Sequence, residues 1–167
     1  MRVNGRMAFA VAGIALVCGM PVRAQQWKPE APPPQKIAAI IDLIRADLSS
    51  QKKSIVNNVM QFSEADSKIF WPIYEQYQME YSQIGNETAA LIKEYVESID
   101  AMTDSKAASL MTRTFDLRKR ALALRIKYYE MVSKALSPIK AAKFMQIDSQ
   151  LVGMLDLQIT SNLPFIR

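Results

Sequence analysis

Apolar residues recur at helical spacing almost continuously from residue 36 onward, and no alternating Val/Ile/Thr-rich segment bounded by turn residues interrupts them. A first helix is predicted over residues 36–60, with Ile37, Ile41, Ile44, Leu48, Ile55 and Val59 on one side and Gln51 breaking the stripe. A second starts after Ser63, whose hydroxyl can accept from first-turn N–H groups while Glu64 and Asp66 complement the helix dipole, and it runs to about residue 100. In it Phe70, Tyr74, Tyr77, Tyr81, Ile84, Thr88, Leu91 and Tyr95 alternate in steps of three and four, the spacing of a coiled-coil seam. Pro72 lies two turns inside and predicts a bend.

Thr103 starts a third helix, reaching about residue 136, that carries two seams side by side. Leu110, Thr114, Leu117, Ala121, Leu124, Tyr128, Met131 and Ala135 form one, and Met111, Phe115, Leu122, Tyr129, Val132 and Leu136 the other. An apolar arc that wide implies two neighbours rather than one. Ser137-Pro138 then opens a fourth helix, with Pro at the first helical position where its missing N–H costs nothing. Phe144, Ile147, Leu151, Met154, Leu155 and Ile159 line this helix, which fades before Leu163-Pro164. The expected fold is all-α: a bent, elongated helical hairpin with coiled-coil-like packing and two shorter flanking helices.

Residues 1–24 read differently. Arg2 and Arg6 precede an uncharged apolar run over residues 7–20, and Val22 and Ala24 occupy the small-residue positions of a cleavage site. These are the parts of a secretory signal peptide, and the run is shorter than the roughly 20 residues a membrane span needs. Cleavage after Ala24 directs the chain to the periplasm without stable membrane insertion. Residues 25–35 contain four prolines and form an extended leader. The helical domain occupies residues 36–162.

Export changes the composition argument. Of 21 basic residues, Arg2, Arg6 and Arg23 leave with the signal, so 18 basic face 16 acidic residues and the net charge falls from +5 to +2. The mature chain is too near balance to suggest nucleic-acid binding. Cys18, the sole cysteine, leaves as well, and the sequence has no histidine. The usual general base and the commonest zinc, copper and haem ligands are missing, so neither an enzyme nor a cofactor is expected. Pairs such as Glu94 with Glu97 or Asp100 with Asp104 have the spacing of a solvated helix face.

Two cationic features stand out. Arg113, Arg120, Lys127 and Lys134 recur every seven residues and form one column along the third helix, read either as a solvated edge or as a rim attracting acidic proteins. Arg118 and Arg125 fall within the apolar arc. Either they pair with acids across the hairpin such as Glu75, Glu80 or Glu94, or they line an open groove.

The helix starts Phe62-Ser63-Glu64-Ala65-Asp66 and Met102-Thr103-Asp104-Ser105-Lys106 resemble the Leu-Thr-x-x-Gln motif of the Spy/CpxP family of periplasmic stress proteins. Segments Phe70-Trp71-Pro72-Ile73-Tyr74 and Ala141-Ala142-Lys143-Phe144-Met145-Gln146-Ile147 are similar to a divergent branch, and the resemblance covers about residues 36–160. Asp66 and Lys106 stand where the motif has glutamine, beside the caps Ser63 and Thr103. The resemblance implies a bent four-helix protomer, a homodimer forming a cradle, and ATP-independent holding of protein clients or binding of an envelope sensor. Metal sensing through histidines, present in some relatives, does not carry over.

Overall fold

The structure is a computed structural model that describes Ala39 and residues 51–166. The expected signal peptide, the proline-rich stretch and most of the first predicted helix before residue 51 lie outside the described residues. The described part is all-α, with α1 (51–60), α2 (Glu64–Ser98), a 3-10 turn (Ile99–Ala101), α3 (Asp104–Ala135) and α4 (Pro138–Thr160).

Each of the last three helices starts on a hydroxyl. Ser63 accepts from the Asp66 N–H, Thr103 from the Lys106 N–H and Ser137 from the Lys140 N–H, so one orphan donor per first turn is satisfied. α2 continues unbroken through Pro72, whose ring is exposed. α1 ends differently. Gln61 takes φ 50° and its N–H bonds back to the Asn57 carbonyl, a left-handed helix cap that glycine usually fills.

α2 and α3 form an antiparallel hairpin whose longer arm spans about 50 Å at 1.5 Å per residue. Its core is the two expected seams: Phe70, Tyr74, Tyr77, Ile84 and Leu91 from α2, and Leu110, Leu117, Leu124 and Tyr128 from α3, are all buried. α4 returns along α3 and adds Ala141, Phe144, Ile147 and Leu151 to the same core. The Phe144 ring meets Phe70 and Tyr77 edge-on, at centroid distances of 5.1 and 5.8 Å. Phe144→Ala would open a cavity there at a cost of about 3–5 kcal/mol. Farther along, Val96 and Ile159 form a smaller cluster with Ile92, Leu155 and Leu163, and the Tyr95 hydroxyl donates to the Pro164 carbonyl.

Two expectations need correcting. The face of α1 that enters the core is Val56 and Met60, with Ile55 half-buried, whereas Val59 is exposed. The buried stripe is thus rotated by one residue. On α3, the second seam is covered only at its C-terminal end. Val132 is buried and Leu136 half-buried beside the turn into α4, but Met111, Phe115, Leu122 and Tyr129 face solvent.

Candidate protein-binding surface

The cationic column on α3 meets a matching column of acids. Arg113 binds Glu94 at 2.6 Å, Arg120 grips Glu87 through two bonds of 2.6 and 2.7 Å, and Lys127 binds Glu80 at 2.8 Å. Each step of seven residues forward on α3 is a step of seven backward on α2, as an antiparallel hairpin requires. The cations hold Glu80, Glu87 and Glu94 below the usual carboxylate range, Lys127 chiefly for Glu80, Arg120 for Glu87, and Lys106 followed by Arg113 for Glu94. One heptad further, α2 offers Ile73 instead of an acid. Lys134 accordingly remains exposed without an ion pair among the described residues.

Both motif positions that carry charge bridge elements. Lys106 joins Glu94, which thereby binds two cations, and Asp66 joins Lys140 of α4 at 2.7 Å. Lys140 first, and then the Ser63 hydroxyl, depress the Asp66 pKa. The second motif residue in each case ties a helix start to its neighbour.

Arg118 and Arg125 part company. Arg118 is exposed and acts on Asp156 of α4 only at a distance. Arg125 is half-buried and its partner is on α4, not among the acids of α2. Its Nε lies 3.2 Å from Asp148 Oδ2, and its guanidinium also reaches the Ser149 hydroxyl and the Met145 carbonyl.

Asp148 is the residue that sequence reasoning missed. It is 1% exposed and joins four helices: the Tyr77 hydroxyl of α2 donates to it at 2.7 Å, Lys52 of α1 lies 3.3 Å away, and Arg125 comes from α3. Its place four residues after Phe144, on the apolar face of α4, was the available signal. A buried carboxylate without partners is too costly to persist, so an acid in that register demands cations facing it.

The remaining feature is the uncovered stripe on α3. Met111, Phe115, Leu122, Ile126 and Tyr129 are 37–57% exposed. At 100° per residue they fall within about 60° of arc and span about 27 Å. Arg118 lies between Phe115 and Leu122 at the edge of this stripe, and Lys119 flanks its other side; neither forms an ion pair among the described residues. Ile126 was absent from the seam read in the sequence, yet completes the face.

Among the described residues no helix is long and apolar enough to cross a membrane, and no three His, Cys, Asp or Glu residues gather as metal ligands. Comparison with protein-family models, curated proteins and solved structures finds no match to the chain.

Proposed function

We propose that the chain is a periplasmic protein-binding module that holds partly unfolded clients without ATP, in the manner of envelope stress chaperones. The observation that carries this reading is the α3 stripe, five large apolar side chains aligned on one exposed helix face. Contiguous apolar surface of this kind marks interaction sites on soluble proteins. The export signal and the two degenerate motif copies at Ser63 and Thr103 support the same reading.

The paired state of Arg113, Arg120 and Lys127 shifts the expected recognition from charge to apolar contact. Of the cations singled out in the sequence, Arg118 and Lys134 are the ones without ion pairs among the described residues, and with Lys119 they tune which clients approach. The stripe is also where a second copy would sit, and sedimentation across the micromolar range reads that state directly.

The test is suppression of aggregation of a model client by the exported chain without nucleotide, comparing wild type with Phe115→Lys/Leu122→Lys. Wild type should suppress and the double variant should not, with helicity unchanged, since both side chains are about half exposed. Equal suppression by the two proteins would remove the stripe from the mechanism. No suppression by wild type, together with saturable capture of one envelope protein, would replace client holding with regulation of an envelope stress sensor or anti-sigma factor.

A further inference from the structure

α2 and α4 run in the same direction, yet no Cα of one lies within 8 Å of a Cα of the other, and they meet through side chains such as Phe70, Tyr77 and Phe144. α1 bridges the trough between them. Lys53 binds Glu75 at 2.9 Å and stacks over Trp71, while Lys52 lies over Tyr81 and reaches across to Asp148 of α4. Val56 and Met60 of the same helix are buried in the core.

This seam differs from the α2–α3 seam in the completeness of its polar contacts. Gln78 Nε2, Arg125 Nε and Asp148 Oδ1 are buried without a hydrogen-bond partner among the described residues. Lys52 faces two of these residues, with its Nζ reaching Gln78 Oε1 only at 3.4 Å and Asp148 Oδ1 off the hydrogen-bond line, while Arg125 approaches the same carboxylate from α3. Glu80, Glu87 and Glu94 on the other seam each hold short charged bonds. Unsatisfied buried polar groups are costly, so the contacts of Lys52 hold α1 less firmly than the short ion pairs hold the hairpin. The joint at its end is already in the left-handed region at Gln61, followed by only Phe62 and Ser63 before α2 begins.

We propose that α1 is a hinged strap, latched by Lys52 on Asp148, which opens about Gln61 while the α2–α3 hairpin stays closed. Opening uncovers Trp71 and Tyr81 and leaves Asp148 to Arg125 and Tyr77. The strap is an internal cover over a second aromatic surface, separate from the α3 stripe and independent of whether the stripe binds clients.

Hydrogen exchange on the whole chain tests this, with Trp27→Phe added so that Trp71 is the sole tryptophan reporter. Amides of residues 51–60 should exchange at least about tenfold faster than those of the hairpin seams, as expected of a locally opening unit. Lys52→Glu sets a second carboxylate against Asp148, and should speed exchange in 51–60 by a further factor of about ten and raise acrylamide quenching of Trp71, with hairpin amides unchanged. Lys52→Arg should remain closed. Exchange of 51–60 in step with the hairpin, or unchanged Trp71 quenching in Lys52→Glu, overturns the proposal. If Lys52→Glu does not fold, the wild-type comparison of 51–60 with the hairpin decides alone.

Discussion

Tyr77→Phe removes a single oxygen from the middle of the molecule. The ring is fully buried, and its hydroxyl donates at 2.7 Å to Asp148, itself buried. Burial, with the adjacent carboxylate, pushes the hydroxyl's pKa far up, so it remains a donor throughout the accessible pH range. A hydrogen bond to a charged group contributes about 1.5–3 kcal/mol, and here water cannot replace the lost donor. The other contacts to Asp148, from Lys52 and the Arg125 Nε, are at ion-pair distance but poorly aligned, which places the expected loss towards the upper end. For a domain of this size each kcal/mol moves the thermal midpoint by about 2–4 °C, so a fall of about 3–12 °C is expected. Tyr128→Phe is the internal control. That ring is equally buried, but its hydroxyl donates to Glu80, which is partly open to solvent and keeps Lys127, so the loss should be smaller. Circular dichroism melts of wild type, both single variants, Asp148→Asn and Tyr77→Phe/Asp148→Asn complete a double-mutant cycle, in which the Tyr77→Phe effect should shrink sharply once Asp148 is neutral. A midpoint within about 1 °C of wild type, or an undiminished loss in the Asp148→Asn background, would refute the reasoning.

Four further outcomes follow from the same contacts. Arg120→Glu should lower the thermal midpoint by opposing Glu87, and adding Glu87→Lys should restore most of it, with the difference shrinking as the Debye length falls from about 10 Å at 0.1 M salt to about 3 Å at 1 M. Because Glu80, Glu87, Glu94 and Asp66 have folded pKa values below their unfolded ones, their contribution is complete above the unfolded range of about 4 and is lost as pH falls through the folded values. Melts should therefore be flat from neutral pH to about 5 and fall steeply below about 4, less so in Glu80→Gln/Glu87→Gln/Glu94→Gln. Gln61→Gly should stabilise the chain by about 0.5–1 kcal/mol in urea titration, since glycine takes the left-handed cap without penalty. Mass spectrometry of the exported protein should find Gln25 as its first residue, and a membrane-bound species retaining residues 1–20 would contradict the export signal.

What could be read along the chain divides by whether a pattern refers to one helix or to two. The α2 and α3 seams and the hydroxyl starts at Ser63, Thr103 and Ser137 are properties of single helices, and their spacing alone locates them. Rotation of α1 is different, because residues 51–60 contain two apolar pairs one residue apart, Ile55 with Val59 and Val56 with Met60. Periodicity cannot choose between them; Lys52, aligned with the second pair, is drawn inward by Asp148 on another helix.

The basic column shows the same division. Its heptad spacing is visible on α3, but its role depends on Glu80, Glu87 and Glu94, spaced by seven on the opposite arm. Laying the two columns antiparallel would have matched all three pairs in one register. Lys134 then falls opposite Ile73, and its lack of an ion pair among the described residues follows from the same arithmetic. The second seam of α3 could not be settled in this way, since its width specifies how much apolar surface exists and not what covers it. α2 and α4 both pack on that helix and still leave the face running from Met111 to Tyr129 open. The ion-paired column of Arg113, Arg120 and Lys127 lies on the opposite side of α3, against α2, so its charges do not cover this face, and that is why the client-binding surface is proposed there.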